Sequence, residues 1–199
     1  MSNQQFLLET IKIINGIPQH LEFHNQRLNY TRQHFNSQSN TIDLKQFIVA
    51  PSTNGIYKCR VIYSNTIEDI QYSSYTDRQF KTFQTVIAND INYQFKYLNR
   101  DALNQLQAGA RGADDILIIK NGFITDTSIA NLAFYDDKKW ITPTTPLLEG
   151  TTRARLLKQK KIIAAPIRLE NIKKYSKMAL MNALLGFYII KQPIINKTG

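Results

Sequence analysis

Two Asn-Gly pairs, Asn15-Gly16 and Asn121-Gly122, each follow a run of residues that favours a β-strand. The first run spans residues 6–14, and the second spans residues 115–120. An Asn-Gly pair tolerates positive φ angles and is the strongest short-range signal for a two-residue hairpin turn. We therefore expect antiparallel hairpins in this fold, with residues 123–125 as the returning strand of the second one.

Helical and strand-like patterns alternate along the rest of the chain, which predicts a mixed α/β fold. Leu21, Leu28 and Phe35 recur at helical spacing and predict a helix over residues 20–35. Runs rich in β-branched and aromatic residues predict further strands at residues 56–63, 67–72, 80–87, 132–135, 139–142 and 162–167. Further helices are predicted at residues 43–49, 100–107, 151–160 and 169–174.

The composition narrows the class of protein. The chain has 199 residues, of which 43% are hydrophobic, and this is enough for a sizeable core. Cys59 is the sole cysteine, so an intrachain disulfide and a cysteine-rich zinc site are excluded. The apolar stretch from Met178 to Ile190 contains Asn182 and is too short to span a bilayer. Because the first residues also lack the pattern of a signal peptide, we expect a cytoplasmic protein without a membrane partner.

The formal net charge of +10 is compatible with a nucleic acid, a membrane surface or an anionic ligand as partner. The basic residues are scattered, however, and their densest cluster, residues 158–161, lies at the end of a predicted helix, where cations suit the helix dipole. We interpret this cluster as a solvated helix end and expect no nucleic-acid partner. A basic pocket for a phosphate and a carboxylate substrate would use part of the remaining charge.

Two segments carry groups that suit one cofactor. Lys96 lies in the aromatic and polar stretch of residues 95–100, and a lysine amine can form a Schiff base with a carbonyl cofactor. Residues 149–153 supply backbone amides and threonine hydroxyls at a predicted helix start, where a phosphate can bind. Pyridoxal 5'-phosphate (PLP) carries both an aldehyde and a phosphate, so the two segments together predict a PLP-dependent enzyme.

Short motifs spread along nearly the whole chain resemble those of the class IV aminotransferases. This fold type IV group includes branched-chain and D-amino acid aminotransferases and aminodeoxychorismate lyase. Each motif is weak alone, but together they occur in the order typical of the family. The motifs are Leu8-Glu9-Thr10-Ile11, His24-Asn25-Gln26-Arg27-Leu28, Lys96-Tyr97-Leu98-Asn99-Arg100, the run from Ile124 to Leu132, Thr142-Pro143, Gly150-Thr151-Thr152-Arg153 and Met181-Asn182-Ala183-Leu184.

The resemblance implies an α/β (α+β) fold in two lobes, with the cofactor in the cleft between them, and a homodimer. A polar step at Ala88-Asn89-Asp90 favours a boundary there. The small N-terminal lobe would span residues 1–88, and the larger, cofactor-binding lobe would span residues 89–199.

The resemblance also implies which residues bind the cofactor. Lys96 would be the Schiff-base lysine, whose amine must be deprotonated to react. Arg27 matches the family arginine that binds the phosphate, where a planar guanidinium suits the oxygens; the alternative is a solvated helix arginine. Thr151 and Thr152 would bind the same phosphate through backbone amides and a hydroxyl, whereas ordinary helix capping would use the same atoms.

Asp126 occupies the position of a family glutamate whose carboxylate pairs with the pyridine nitrogen of the cofactor. Aspartate keeps the charge but is one methylene shorter, and the alternative is a residue that only closes a turn. Thr10 aligns with a threonine implicated in proton transfer in aminodeoxychorismate lyase, although threonine also favours strands. Asn182 aligns with an asparagine near the cofactor in lyase-like members, and otherwise it is a turn residue. Asn131 is expected to support the local backbone.

His20 and His24 are four residues apart on the predicted helix, a spacing compatible with a metal site. Because the pattern offers no third ligand, we favour a structural or solvated role for both and expect no metal. PLP is therefore the cofactor that the sequence predicts.

Three functions remain open. Thr10 and the Asn182-Ala183-Leu184 segment favour a lyase similar to aminodeoxychorismate lyase, which makes 4-aminobenzoate and pyruvate in the folate pathway. An aminotransferase for a branched-chain or D-amino acid would need a group that binds the α-carboxylate, and the sequence does not identify one. A cofactor-binding or nucleic-acid-binding homologue with weakened catalysis is the third, supported by the net charge and by Asp126.

Overall fold

The structure, a computed structural model, describes residues 5–51 and 54–197. The chain divides into two compact units. The first, here called the N-terminal unit, comprises Met1–Asp77 and Phe95–Asn99, and the second, the C-terminal unit, comprises Arg78–Gln94 and Arg100–Gly199. The segment that contains Lys96 thus belongs to the N-terminal unit, although Arg78–Gln94 separates it in sequence from the rest of that unit.

The N-terminal unit is an antiparallel sheet with a helix packed on one face. Its strands are β1 (Leu7–Ile14), β2 (Ile17–Pro18), β3 (Ile56–Tyr63) and β4 (Ile67–Ser74), in the spatial order β2-β1-β3-β4, and its helix is α1 (Leu21–Phe35). Asn15 and Gly16, between β1 and β2, have φ angles of 49° and 79°. Positive φ at both positions defines a type I′ turn, so the first predicted hairpin is confirmed.

Side chains alternate across this sheet, as they do in all extended strands. Leu7, Ile11 and Ile13 of β1 and Val61 of β3 are buried in one cluster with Leu28 of α1. Most of the intervening positions of β1 and β3 are only partly buried. Alternation places these positions on the face of the sheet opposite α1.

The helix predicted at residues 43–49 is only the three-residue 3-10 turn Leu44–Gln46. Asn25 of α1 accepts a hydrogen bond from the backbone N–H of Leu44 at 2.9 Å. Asp43 also accepts one from the N–H of Lys45 at 3.1 Å. Both bonds satisfy N–H groups at the start of the turn, which have no acceptor within a helix, and they fix where the turn begins.

The C-terminal unit contains nine strands and two α-helices within residues 78–94 and 100–197. The strands are β5 (Thr82–Ile87), β6 (Asp115–Lys120), β7 (Phe123–Ile124), β8 (Asn131–Tyr135), β9 (Trp140–Pro143), β10 (Ile163–Ala165), β11 (Lys177–Asn182), β12 (Gly186–Ile190) and β13 (Ile194–Asn196). The helices are α2 (Asp101–Ala108) and α3 (Thr151–Lys158), and a 3-10 helix spans Leu169–Lys174.

Two sheets enclose the main core of the C-terminal unit. One has the order β13-β5-β6-β7, and the other has the order β10-β9-β8-β11-β12. Leu117 of β6 is buried in one cluster with Leu132 and Phe134 of β8. On the other face of β8, Ala133 is buried with Leu156 of α3. Because both of its faces are covered, β8 is almost continuously apolar.

The mixed α/β class predicted from the sequence is confirmed. Asn121 and Gly122, with φ angles of 52° and 79°, join β6 to β7 and confirm the second hairpin. Three strands, β11 to β13, were not predicted. The apolar stretch from Met178 to Ile190, which forms most of β11 and β12, was interpreted only with respect to a membrane span, and β13 is only three residues long. No helix in the described ranges, 5–51 and 54–197, is long and apolar enough to cross a membrane.

Candidate active site

The backbone around Lys96 is fixed against the start of β1. The carbonyl oxygen of Lys96 accepts a hydrogen bond from the N–H of Leu8 at 2.9 Å. The N–H of Tyr97 donates to the carbonyl of Phe95 at 2.9 Å, so Lys96 is the central residue of a three-residue turn. The partly buried side chain of Lys96 therefore projects from a fixed point of the N-terminal unit.

Aromatic side chains attach the same turn to the end of α1. Phe95 is buried, and its ring centroid lies 4.6 Å from that of His34 and 5.1 Å from that of Phe35. Tyr97 packs edge-to-face on Phe95 with the centroids 6.1 Å apart. Each such aromatic pair contributes about 0.5–1.5 kcal/mol beyond its buried area. The aromatic residues on either side of Lys96 thus hold the turn in place.

Thr10 stands on the face of the N-terminal sheet opposite α1. In the register of β1 and β3, Thr10 lies opposite Arg60, and Lys12 lies opposite Lys58. Strand alternation therefore places Thr10 on one face with three cations, here called the cationic strip: Lys12, Lys58 and Arg60. Arg60 donates to Gln71 of β4 at 3.2 Å, and Gln71 donates to Asp69 at 2.7 Å.

Glu9, the neighbour of Thr10 in β1, faces α1 instead and is fully buried. Its two carboxylate oxygens accept hydrogen bonds from Nε and Nη2 of Arg27 at 2.8 and 2.6 Å. His24 Nδ1 lies 2.6 Å from Glu9 Oε2. The bidentate contact fixes the plane of the Arg27 guanidinium. Arg27 is thus held by Glu9 rather than solvated, and its predicted contact with the phosphate stays a prediction.

Opposing effects set the pKa of Glu9. Burial raises this pKa. The charge of Arg27 and hydrogen bonds from His24 and Arg27 lower it by a larger amount, so that the pKa of Glu9 falls from 4.5 to about 2. Glu9 therefore remains ionised at neutral pH. The ion pair with Arg27 joins the core-facing side of β1 to α1.

Helix α3 begins at Thr151, and its N-cap residue is Gly150, which makes no side-chain capping bond. Thr151 and Thr152 lie in the first turn and are buried. The capping position therefore belongs to Gly150 and not to either threonine. The first N–H groups of an α-helix have no acceptor within the helix and carry the positive end of its dipole. This helix start consequently has the property that phosphate binding requires.

Asp126 lies two residues beyond β7 and is only 4% exposed. Its Oδ1 accepts a hydrogen bond from Nδ2 of Asn131 at 2.7 Å. Its Oδ2 accepts bonds from the backbone N–H groups of Leu147 and Leu148 at 2.9 and 3.0 Å. The carboxylate thus ties the segment after β7 to the residues just before α3, which is more than the closure of a local turn.

The pKa of Asp126 is raised. Burial raises the pKa, whereas hydrogen bonds from Asn131, Leu148 and Leu147 and the charge of Arg153 lower it. Burial has the larger effect, and the resulting pKa is about 7 instead of 3.8. A cationic N–H group beside the carboxylate would lower this pKa and keep Asp126 ionised. A protonated pyridine nitrogen is such a group, and the pairing with it stays a prediction.

Asn131 connects Asp126 to Gly150. Its Nδ2 also donates to the carbonyl of Leu148 at 2.8 Å, which agrees with the expected support of the backbone. A Cβ atom built on Gly150 would lie 1.9 Å from Asn131 Oδ1. Gly150 has an ordinary φ of −74°, so this contact, and not the backbone conformation, favours glycine there.

Asn182 ends β11 and shapes the turn towards β12. Its Oδ1 accepts hydrogen bonds from the N–H groups of Leu184 and Leu185 at 3.0 and 2.8 Å. Its Nδ2 donates to the carbonyl of Ile129 at 3.3 Å, in the segment that follows Asp126. Asn182 therefore acts as a turn residue, and its predicted proximity to the cofactor stays a prediction.

The predicted site residues are distributed over both units. The N-terminal unit holds Thr10, Arg27 and Lys96, and the C-terminal unit holds Asp126, Thr151, Thr152 and Asn182. Within the C-terminal unit, Leu147 and Leu148 link Asp126 to the segment that enters α3. The roles of these residues in catalysis and binding stay predictions, as does the homodimer.

Sequence reasoning missed the partner of Arg27 and the cationic strip. The signal for Glu9 was an acidic residue at a core-facing position of an apolar strand, since buried charges are normally paired. The cationic strip depends on the register of β1 with β3, and the sequence of one strand alone does not determine that register.

Known proteins resemble this chain over almost its full length. The model of the family described as amino-transferase class IV matches residues 7–192. A Haemophilus influenzae protein named "uncharacterized protein" is 39% identical over 185 residues, which are 90% of this chain and 98% of that protein. A Schizosaccharomyces pombe protein named "putative aminodeoxychorismate lyase" is 27% identical over 140 residues, which are 66% of this chain and 60% of that protein.

A solved structure agrees with this result. The crystal structure of a "putative 4-amino-4-deoxychorismate lyase" from Haemophilus somnus is 36% identical in sequence and has a TM-score of 0.86. The match covers 92% of this chain and 98% of that one. The chain therefore belongs to the class IV aminotransferase family, as its motifs predicted. It is an enzyme of fold type IV, and the family depends on PLP.

The buried ion pair makes a prediction about stability. Glu9→Gln is expected to lower the free energy of unfolding at pH 7 by about 3–5 kcal/mol, because it leaves the charge of Arg27 without the Glu9 carboxylate. The wild type should lose stability as the pH falls from 4.5 towards about 2, where Glu9 takes up a proton, and the variant should lose less. Urea unfolding at neutral and acid pH measures both effects.

Glu22→Gln is the matched control for this variant, since Glu22 is exposed in the first turn of α1. It should change the free energy of unfolding by no more than about 0.5 kcal/mol. Equal losses in the two variants would contradict the importance of the Glu9–Arg27 pair.

Proposed function

We propose that this protein is a PLP-dependent lyase that converts 4-amino-4-deoxychorismate into 4-aminobenzoate and pyruvate, a reaction of folate synthesis. The names of two relatives, from Schizosaccharomyces pombe and Haemophilus somnus, support this substrate. The observation that carries the proposal is the cationic strip on the sheet face of Thr10.

The described residues fit PLP. Lys96 supplies an amine on a fixed turn, and the start of α3 at Thr151 and Thr152 supplies amides for the phosphate. Arg27 adds a guanidinium that Glu9 orients, and Asp126 supplies a buried carboxylate for the pyridine nitrogen. Asn182 would lie near the cofactor. When bound, PLP would supply an aldehyde and a ring that accepts electrons.

The proposed substrate carries two carboxylates, so its site needs cations. Lys12, Lys58 and Arg60 provide three on one face, beside the hydroxyl of Thr10. Lys12 and Lys58 lie directly opposite each other, and like charges in this arrangement destabilise a sheet. Lys12 Nζ lies 5.9 Å from the centroid of the Tyr75 ring, and a dianionic ligand would further offset the repulsion between the two lysines.

In this proposal, Lys96 acts twice through Nζ. Its amine would hold the aldehyde of the resting cofactor, and once freed it would act as a general base that takes the proton from the carbon bearing the substrate nitrogen, while the carbon–oxygen bond to the pyruvate portion breaks. Thr10 Oγ1 would assist proton transfer to the departing pyruvate. Asp126, kept ionised, would hold the proton on the ring nitrogen and so favour electron acceptance by the ring.

The lysine carries the first test of this function. After incubation with PLP and reduction with borohydride, peptide mapping should find the label on Lys96. Lys96→Arg keeps the charge but forms no Schiff base, so it should carry no label and lower pyruvate release by about 10²–10⁴-fold or more. Lys45→Arg, in an exposed turn, is the control and should be labelled like the wild type.

Pyruvate release measured beside amino transfer to an α-keto acid separates the candidate functions. Amino transfer without pyruvate release would replace the lyase with an aminotransferase. A label on Lys96 with neither activity would indicate a PLP-binding homologue with weakened catalysis. A label on another lysine would remove Lys96 from the proposed site.

Substrate recognition by the cationic strip is tested at Arg60. Arg60→Gln is expected to raise KM for the dicarboxylate substrate about 10-fold or more, because a lost charged contact is worth roughly 1.5–3 kcal/mol. The affinity for PLP should stay near that of the wild type. Arg111→Gln, at an exposed position of the C-terminal unit, is the control. An unchanged KM in Arg60→Gln would exclude the strip from substrate binding.

The aspartate tests the electronic part of the proposal. Asp126→Asn should retain PLP but slow turnover about 10²-fold or more, because a neutral amide does not favour the protonated ring. In the wild type, turnover should fall as the pH drops through the pKa of Asp126, which lies at or below about 7. Asp126→Glu should remain active. If Asp126→Asn turned over at the normal rate, Asp126 would be a structural residue only.

A further inference from the structure

We propose that Asn131 is a positioning residue of the cofactor site, whose side-chain amide holds the Asp126 carboxylate and Gly150, the N-cap residue of α3, in one fixed arrangement. The inference rests on the proposed function, because that function assigns Asp126 to the ring nitrogen and α3 to the phosphate of PLP. Asn131 itself would contact neither the ring nitrogen nor the phosphate.

The first observation is that one side-chain NH2 group serves two partners. Asn131 is 4% exposed, and its Nδ2 donates to Asp126 Oδ1 at 2.7 Å and to the carbonyl of Leu148 at 2.8 Å. An amide NH2 has two donors, so both are used. The N–H of Leu148 in turn donates to Asp126 Oδ2 at 3.0 Å. Asn131, Asp126 and the Leu148 backbone therefore form a closed set of contacts.

The second observation concerns the other end of the same amide. Asn131 Oδ1 occupies the space where a Cβ of residue 150 would stand, at 1.9 Å from its ideal position. The backbone of Gly150 thus lies directly against Asn131. Gly150 is the N-cap of α3, and its carbonyl accepts the N–H of Ala154 at 2.9 Å. The position of Asn131 therefore sets where the first turn of α3 begins.

The third observation is the acceptor capacity of Asp126. A carboxylate offers about four lone pairs. Asn131, Leu147 and Leu148 use three of them among the described residues, on both oxygens. Arg153 is the charged group that acts on Asp126, and its own guanidinium binds Glu149 at 2.6 Å and the carbonyl of Pro143 at 2.9 Å. Three neutral donors thus orient the carboxylate and leave capacity for one cationic N–H.

These contacts fix the spacing between the Asp126 carboxylate and the start of α3, which are proposed to bind the ring nitrogen and the phosphate of PLP. Without the amide, Asp126 loses a hydrogen bond that favours its ionised form, and α3 loses the surface against which Gly150 lies. Loss of Asn131 should therefore weaken PLP binding and also change the ionisation of Asp126. A residue that only stabilised the fold would lower stability without either effect.

The experiment compares Asn131→Ala with Asn29→Ala. Asn29 is a matched structural asparagine in the N-terminal unit, whose amide donates to the carbonyls of Asn25 and Ile42 at 2.9 and 2.7 Å. Asn131→Ala should weaken PLP affinity about 10-fold or more, and it should move the acid limb of the pH–rate profile to higher pH, because the pKa of Asp126 rises. Asn29→Ala should lower stability but change neither quantity.

A double-mutant cycle in the apoprotein tests the contact without the cofactor. Gly150→Ala alone should be strongly destabilising, because its Cβ meets Asn131 Oδ1. In the Asn131→Ala background, the same change should cost much less, so that the two effects are not additive. Hydrogen exchange at the N–H groups of Leu147 and Leu148 should be faster in Asn131→Ala, since Asp126 is no longer held in place.

The outcomes separate this inference from the proposed function. If the wild type carries no borohydride label on Lys96, the proposed function fails, and the positioning role fails with it. If the wild type is labelled but Asn131→Ala binds PLP normally with an unchanged acid limb, only the positioning role is overturned. Additive effects of Gly150→Ala and Asn131→Ala would likewise overturn it.

Discussion

A carboxylate inside a protein needs hydrogen-bond donors that replace the water it loses. Asp126 meets this condition with one side-chain amide and two backbone amides, and the two backbone donors come from residues just before α3. The need of the buried Asp126 carboxylate for hydrogen-bond donors therefore determines where the segment of residues 147–150 lies. The same bonds position the start of α3. The protein groups proposed to bind the ring nitrogen and the phosphate of PLP are therefore structurally linked.

The N-terminal unit also contains a buried, hydrogen-bonded carboxylate, but there the pKa is lowered instead of raised. Glu9 is buried like Asp126, but its donors include the cationic guanidinium of Arg27, and its pKa falls to about 2. The donors of Asp126 are neutral, and its pKa rises to about 7. The first carboxylate is therefore ionised at neutral pH and holds Arg27. The second lies close to its titration point, where a cationic partner has the largest effect on its ionisation.

The elements that depend on local sequence were predictable, whereas those that depend on pairing were not. The turns at Asn15-Gly16 and Asn121-Gly122 are encoded by residues that accept positive φ, and both are present. The short motifs along the chain, taken together and in their order, were sufficient to identify the family. The sequence does not reveal that Glu9 meets Arg27 or that Thr10 shares a sheet face with Arg60, because these contacts depend on helix packing and strand register. Asp126 was predicted as a site residue from its motif, and that role stays a prediction, whereas its contacts with Leu147 and Leu148 could be seen only in the fold.

The contact between Asn131 and Gly150 also constrains how the sequence can change over time. A side chain can be added at residue 150 only if the Asn131 side chain shifts or is replaced, because the Cβ would overlap Oδ1. Either change disturbs the hydrogen bond that Asn131 donates to Asp126. The two positions are therefore coupled in evolution, because a change at either one alters how Asp126 is held.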